Sequence, residues 1–296
     1  MRDRWQDLRA RLDARGFKPR KSLGQNFLID PALAAAIAGE VDYSDDPLIV
    51  EVGSGPGALT RELVQKGAVL AFEIDERLAS FLREESASFA VSRSFDLVEA
   101  DVLEHGALSP PFVDALARGM TKHAAWVCVS NLPYSSAGPF VAAMLQADIP
   151  PRAAVVLTQW EFGERLAAKP GSATYGSLSV QAQLSYVSRL VRRVPPEVFR
   201  PRPRVASSLV VLELRDGFAR RPAEWRRRFG RFVQGLFGAR RKVLRQGLRI
   251  LGHEEAEGVF AAAGLDADLL RRRPEELEPA TFEAIFDAVE ASPRSP

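Results

Sequence analysis

Cysteine and histidine are scarce in this sequence, which limits disulfide and metal chemistry. The 296 residues contain one cysteine, Cys128, so an intramolecular disulfide is excluded and a reducing compartment is indicated. The three histidines, His105, His123 and His253, are scattered and form no metal-ligand pattern. We interpret all four residues as packing or surface residues, and we expect no metal cofactor.

Long apolar runs are also lacking, because charged residues interrupt them before they reach the length of a membrane span. The N-terminal segment MRDRWQDLRARLDARG carries Asp3, Asp7 and Asp13 among its arginines, which argues against a secretory signal and against a transit peptide. A composition of 46% hydrophobic and 26% charged residues is typical of a globular protein with a buried core. We therefore expect a cytoplasmic protein without a membrane span, and since nothing requires a partner chain, a monomer.

The small net charge of +2 conceals an uneven distribution. Residues 189–249 contain 18 arginines and lysines against 4 acidic residues, a local charge of +14, so the remainder of the chain carries −12. A basic block beside an acidic remainder favours a polyanionic partner such as nucleic acid. A solvated, arginine-rich helical surface is the alternative that charge alone leaves open.

Apolar strand-like segments alternate with helical ones up to Leu214. The predicted strands are Leu48–Gly53, Val69–Asp75, Phe95–Asp101, Trp126–Asn131, Ala153–Trp160, Ser185–Val194 and Ser208–Leu214. Helical segments separate the first five, which indicates a mostly parallel, helix-covered sheet, and only a loop separates the last two, which indicates an antiparallel hairpin at one edge. Seven strands in this order are typical of the α/β class, with the Rossmann-like sheet of a class I methyltransferase.

The pattern changes after Leu214. Residues 216–296 are predicted to form helices with arginine-rich faces, interrupted at Gly252, Gly264 and Pro274. We therefore predict two domains, residues 1–214 containing the sheet and residues 215–296 forming a small C-terminal helical domain.

A glycine-rich turn, residues 53–58, follows the first of these strands. Gly53 and Gly55 let the backbone bend sharply and approach a ligand without interference from a Cβ atom. Glu73 lies 20 residues after Gly53, where its carboxylate can accept both hydroxyls of a ribose, whereas Asp75 fits the N-cap of the next helix. Asp101 could accept a hydrogen bond from an adenine amino group, and a helix N-cap is an equally good interpretation of it. These features fit NAD and S-adenosylmethionine equally.

The fourth strand distinguishes the two cofactors, because it ends in Asn131-Leu132-Pro133-Tyr134. Hydride transfer has no use for such a tetrapeptide, whereas methylation of an exocyclic amine does. The side-chain carbonyl of Asn131 and the main-chain carbonyl of Leu132 can accept both hydrogens of an adenine N6 and thereby free its lone pair. Tyr134 offers a flat face on which an extruded base can stack. An ordinary strand-ending turn would explain Asn-Leu-Pro but not the aromatic residue after it.

With these motifs in place, the sequence resembles the dimethyladenosine transferase family. That family contains the bacterial small-subunit rRNA enzymes, their eukaryotic counterparts and the antibiotic-resistance methylases of large-subunit rRNA. Besides Asp101, the segments that match the family in its order are residues 24–28, 51–60, 73–75, 131–134, 164–172, 175–180, 199–205 and 237–245.

The resemblance implies a role for each matched residue. The residues expected to contact S-adenosylmethionine are Asn26, Leu28, Gly53, Gly55, Glu73, Asp101 and Asn131. Asn131 and Leu132 would also hold the target amine, and Tyr134 and Phe199 would sandwich the target adenine. The stretches 168–171 and 240–242 favour the small-subunit branch. The implied product is two adjacent N6,N6-dimethyladenosines near the 3′ end of 16S rRNA, made in an assembling 30S particle.

For the helical domain we predict that four basic residues contact phosphates: Arg240, Arg241, Lys242 and Arg245. Their spacing predicts that Arg241 and Arg245 lie on one helical face.

Three segments depart from the family. Residues 135–138 replace a common Asn-Ile-Ser-Thr, residues 158–163 replace a more usual Gln-Lys-Glu-Val-Ala run and lose a basic residue, and Ser22-Leu23 stands where Arg-Phe is frequent.

Three rival functions are also compatible with the sequence. A resistance methylase of large-subunit rRNA would use the same chemistry on a different target. A non-catalytic rRNA-binding assembly factor or transcription factor would keep the fold as a docking module, although the complete motifs argue against it. The glycine turn would also permit an NAD-dependent oxidoreductase, but the motifs of this sequence contain no candidate acid or histidine for a hydride-transfer site.

Overall fold

The computed structural model describes residues 4–89, 94–219 and 221–292. These residues form two compact units. The first contains the described residues up to 163 together with 189–213, and the second contains residues 164–188 together with those from 214 onward.

A seven-stranded sheet is the centre of the first unit. The strands of the described residues are β1 (Phe27–Leu28), β2 (Leu48–Val52), β3 (Val69–Glu73), β4 (Phe95–Glu99), β5 (Leu103–Glu104), β6 (Ala107–Leu108), β7 (Trp126–Asn131), β8 (Ala153–Gln159), β9 (Tyr186–Val194), β10 (Phe199–Arg200) and β11 (Ser207–Leu214). The order in the sheet is β4-β3-β2-β7-β8-β11-β9. The first five of these are parallel, β11 runs antiparallel to β8, and β9 lies beside β11 at the edge. All seven predicted strands and the class I methyltransferase architecture are thereby confirmed.

The central strands form because their apolar runs are buried on both faces, as in other helix-covered parallel sheets. Every residue of β2 is buried, and so are the first five of β7. The helices that accompany the sheet are α1 (Arg4–Ala14), α2 (Pro31–Ala38), α3 (Thr60–Leu63), α4 (Glu76–Ser86), α5 (Pro110–Gly119), α6 (Ala137–Leu145) and α7 (Trp160–Leu166). Two short pairs complete the strands: β5 with β6, and β1 with β10.

The second unit is helical. Its helices are α8 (Ser177–Ser185), α9 (Asp216–Ala219), α10 (Ala223–Gly238), α11 (Leu244–Ile250), α12 (Ala256–Ala262) and α13 (Pro279–Ala291), with short 3-10 turns at Ala267–Arg271 and Pro274–Glu276. Its core is rich in aromatic residues: the ring of Trp225 stacks on that of Phe229, with centroids 5.0 Å apart, and Phe286 meets both rings edge-on. The predicted interruptions at Gly252, Gly264 and Pro274 all fall between helices.

Residues 164–188 belong to the helical unit, although the sequence pattern assigned them to the first domain. Their apolar side chains explain this difference, since Ala168, Tyr175 and Val180 pack in the aromatic core of the second unit. The Tyr175 hydroxyl also donates a hydrogen bond of 2.8 Å to the carbonyl of Leu277. Of the helices described, none has the length and apolar character needed to cross a membrane.

Candidate active site

The glycine turn follows β2 and is built from residues in the left-handed backbone region. Gly53, Gly55 and Gly57 have φ values of 72°, 54° and 89°, which other residues rarely adopt. A Cβ atom at Gly53 would lie 3.0 Å from Cδ of Pro133, and one at Gly55 would lie 3.1 Å from the ring of Phe27. Only glycine therefore allows this turn to approach both neighbouring segments.

Glu73 ends β3 directly beside the glycine turn. Its carboxylate accepts hydrogen bonds from the backbone N–H groups of Gly55, at 2.7 Å, and of Asp75, at 2.9 Å. Burial raises the pKa of Glu73, and the two backbone hydrogen bonds oppose part of that rise. Asp75 caps the start of α4 as predicted, because its side chain accepts from the N–H of Arg77. It also accepts a 3.0 Å hydrogen bond from Nε2 of Gln25.

Asn131 ends β7 and is anchored to the segment of residues 24–28. Its Nδ2 donates a 3.0 Å hydrogen bond to the carbonyl of Asn26, whose own Nδ2 donates to the carbonyl of Gly24. The anchor uses the amide nitrogen, so Oδ1 of Asn131 stays available as an acceptor. The next residue, Leu132, is fixed by a buried side chain and by its N–H, which donates to the carbonyl of Leu157 at 3.0 Å.

Tyr134 is half-buried, and its hydroxyl is 2.6 Å from Oγ of Ser207 on β11. Burial raises the pKa of the Tyr134 hydroxyl, and the hydrogen bond with Ser207 lowers it again in part. The hydroxyl therefore stays protonated at neutral pH, and the contact with Ser207 fixes the orientation of the ring.

These residues converge on one cleft at the carboxyl ends of the parallel strands, where ligands bind in open α/β sheets. The predicted residues that line it are Asn26, Gly53, Gly55, Glu73, Asn131, Leu132 and Tyr134. Leu28 lines an adjoining pocket that also contains Gly53 and Glu51. The cleft also contains Ile74, to which the sequence assigned no role and whose apolar side chain is 45% exposed. The signal for it was an apolar residue between two acids immediately after a strand.

The adjoining pocket contains a second buried carboxylate, Glu51, in the middle of β2. Oγ1 of Thr60 donates a 2.6 Å hydrogen bond to this carboxylate. Desolvation raises the pKa of Glu51 to about 7, while hydrogen bonds from Thr60 and Ser54 oppose the rise and the charge of Glu73 adds to it.

The placement of Phe199 corrects one prediction. The ring was expected to stack on a target base, but Phe199 is 0% exposed and belongs to the hydrophobic core of the sheet unit. The cause is the pairing of β1 with β10, which sets Phe199 opposite Leu28 and covers the ring. In this structure Phe199 therefore packs in the core opposite Leu28 and has no free face.

The structure contradicts one of the two interpretations of Asp101, the helix N-cap, because no helix follows this residue directly. Its carboxylate accepts a 2.9 Å hydrogen bond from the N–H of Leu103 and caps the turn that leads into β5. The next helix, α5, is capped by Ser109 instead. The Asp101 side chain is exposed and does not line the cleft, so its proposed contact with a cofactor adenine stays a prediction.

In the helical unit, the basic run lies in the turn between α10 and α11. The expectation that Arg241 and Arg245 share a helical face is therefore wrong, since α10 ends at Gly238 and α11 begins at Leu244. Arg240 forms hydrogen bonds of 2.8 and 3.0 Å to the carboxylate of Glu275, and Arg245 forms an ion pair of 2.9 Å with Glu257. Arg241 and Lys242 are exposed, and no carboxylate among the described residues pairs with them.

Comparison with known proteins agrees with this geometry. The family model described as ribosomal RNA adenine dimethylase matches residues 16–276. A ribosomal RNA small subunit methyltransferase A of Shouchella clausii is 35% identical over 284 residues, covering 94% of this chain and 92% of that protein. The protein of the same name from Phenylobacterium zucineum is 36% identical over 283 residues, covering 95% and 92%.

Two solved structures show the same fold. A dimethyladenosine transferase from Plasmodium falciparum, 19% identical, has a TM-score of 0.69 and covers 88% of this chain and 95% of that one. The 23S rRNA methyltransferase ErmE, 24% identical, has a TM-score of 0.58 and covers 90% and 100%.

Proposed function

The chain belongs to the ribosomal RNA adenine dimethylase family, and from that premise we propose that it transfers methyl groups from S-adenosylmethionine to adenine N6 in small-subunit rRNA. Two adjacent adenosines near the 3′ end of 16S rRNA would each receive two methyl groups. The observation that carries the proposal is the position of Asn131. Its amide nitrogen is anchored to Asn26, and its carbonyl oxygen is left available in the cleft that also contains Glu73.

The residues of the cleft fit the cofactor. The glycine turn offers backbone that a ligand can approach closely, because Gly53 and Gly55 have no Cβ atoms. A carboxylate has about four acceptor sites, so Glu73 can accept two ribose hydroxyls in addition to its two backbone hydrogen bonds. Ile74 provides an exposed apolar face for an adenine ring. S-adenosylmethionine would supply an electrophilic methyl group on a positively charged sulfur.

The strand tip would then position the nucleophile. Oδ1 of Asn131 and the main-chain carbonyl of Leu132 accept the two hydrogens of the target N6, which holds its lone pair out of conjugation. The ring of Tyr134, oriented by Ser207, stacks on the extruded base. Alignment of this kind can supply several kcal/mol, about 7 or more in well-oriented reactions. No side chain of the cleft is assigned as a general base, and the proton leaves to water after transfer.

The target subunit follows from the relatives. Proteins that are about one third identical over nearly the whole chain carry the name of small-subunit enzymes, which favours the small-subunit target over a resistance function on large-subunit rRNA. We propose that the substrate is the rRNA within an assembling 30S particle, that the enzyme acts as a cytoplasmic monomer, and that the helical unit contacts phosphates through Arg241 and Lys242.

The direct test is transfer of labelled methyl from S-adenosylmethionine to unmethylated small subunits, followed by nucleoside analysis of the rRNA. We expect N6,N6-dimethyladenosine in small-subunit rRNA and none in large-subunit rRNA. Asn131→Ala is expected to lower the rate of methyl transfer by at least about 100-fold. Removal of one positioned polar group from an active site typically causes a loss of this size. Small-subunit binding and melting temperature of this variant are the controls and should stay near wild type. Near-normal turnover of Asn131→Ala would contradict the role given to that residue.

A further inference from the structure

A cation–π pair lies close to the proposed target site. One of its members, Trp160, belongs to the segment 158–163, where the sequence departs from its family. Trp160 begins α7 directly after β8, and the guanidinium of Arg193 on β9 lies over its indole ring, 5.1 Å from the centroid. Arg193 is exposed, and within the described parts of the chain no carboxylate pairs with it. An arginine held over one face of an aromatic ring in this way can present its other face and its N–H donors to a ligand.

The pair is close to Tyr134 because of the register of the sheet. Gln159 lies opposite Ser207, whose hydroxyl contacts the hydroxyl of Tyr134. The N–H of Trp160 then donates a 3.0 Å hydrogen bond to the carbonyl of Ala206. From the usual spacings along and between strands, the Cα atoms of Trp160 and Ser207 are no more than about 9 Å apart. A nucleotide next to a base bound at Tyr134 can bridge such a distance.

We propose that Arg193, supported by Trp160, stacks on a base of the rRNA strand that neighbours the target adenine. This inference rests on the proposed function, since it needs an extruded adenine at Tyr134. Extrusion leaves the neighbouring base with an unstacked face. Proteins that recognise unpaired RNA commonly cover such faces with aromatic rings or arginine guanidinium planes. The adjoining loop suits a polyanion, because Arg204, two residues before Ala206, is also exposed and has no carboxylate partner in the described ranges.

Methylation kinetics with unmethylated small subunits test the proposal. Arg193→Ala and Arg193→Lys are both expected to raise KM for the subunits by at least about fivefold, which is the lower end of the contribution of one stacked base, and to leave kcat near wild type. The matched control is Arg192→Ala, which removes the same charge from the adjacent residue of β9. Its side chain alternates to the other face of the strand, so its effect on KM should be clearly smaller. In Trp160→Ala/Arg193→Ala, we expect no loss beyond that of Arg193→Ala, because the two side chains act as a unit.

Two results would overturn the proposal: equal KM values for Arg193→Ala and Arg192→Ala, or a wild-type KM for Arg193→Lys, which would show a phosphate contact in place of stacking. All the variants change exposed arginines or a half-buried tryptophan, and the single variants of Arg193 and Arg192 decide the outcome if the double variant does not fold. Failure of the proposed function would look different, because wild-type protein would then transfer no methyl to small subunits.

Discussion

Replacing the buried Glu51 with glutamine is expected to remove a large part of the pH dependence of stability. Glu51 is 2% exposed and lies in the sheet, where the hydroxyls of Thr60 and Ser54 donate hydrogen bonds to its carboxylate. Desolvation raises the pKa of this carboxyl from 4.5 to about 7. Glutamine has nearly the same shape and can still accept the hydrogen bond from Thr60, but it does not titrate.

The sign and size of the effect follow from the two pKa values. Between pH 4.5 and 7, the folded protein holds a proton on Glu51 that the unfolded chain has released, so folding becomes less favourable as pH rises. The stabilising contribution is complete below pH 4.5 and is lost as pH rises through about 7. One pKa unit corresponds to about 1.4 kcal/mol, and the whole change is therefore about 3 kcal/mol in the free energy of unfolding.

Melting temperatures of wild type and Glu51→Gln between pH 5 and 8 measure this change. A change of 1 kcal/mol shifts the melting temperature by about 2–4 °C for a unit of this size. About 2.5 kcal/mol of the change falls between pH 5 and 8, so the wild type should lose about 5–10 °C relative to Glu51→Gln across that range. Glu104→Gln, an exposed carboxyl in the same unit, is the charge-matched control and should follow the wild-type profile. Parallel profiles for wild type and Glu51→Gln would refute the assignment of a raised pKa to Glu51.

Two further predictions concern the target base and the rRNA backbone. Tyr134→Ala should lower kcat/KM by at least about fivefold, because stacking is lost. Tyr134→Phe keeps the ring and loses only the contact with Ser207, so its kcat/KM should change much less. Equal losses in the two variants would show that the hydroxyl is the important group. Neutralising Arg241 and Lys242 should each reduce the salt dependence of rRNA affinity by about 0.7–0.9 slope units, as measured by binding at several salt concentrations. The same change at the ion-paired Arg240 or Arg245 should have a smaller effect, and a slope that no variant changes would identify ordinary solvated charges.

Much of the first unit could be predicted from the sequence because local patterns specify it. Buried apolar runs such as Leu48–Val52 have few alternatives to a central strand, and the glycines after β2 mark a turn that other residues cannot adopt. The N-cap role of Asp75 is local as well, since the cap and the N–H group that it accepts from are two residues apart.

The corrections come from contacts between distant parts of the chain. Burial of Phe199 depends on its pairing with Leu28, and the membership of residues 164–188 in the helical unit depends on contacts such as that of Tyr175 with Leu277. No pattern of neighbouring residues records such contacts.

The sequence by itself determined which segments form strands, where the glycine turn lies and which residues end the fourth strand. Each of these depends on residues that are adjacent or periodically spaced. Only the tertiary structure decided which polar and charged side chains are available to a ligand. Asn131 is anchored by its nitrogen to a residue 105 positions away, Arg240 is ion-paired with Glu275, and Arg193 lies over the ring of Trp160. Hydrogen bonds, ion pairs and ring contacts act over a few ångströms, and folding alone brings these partners within that distance.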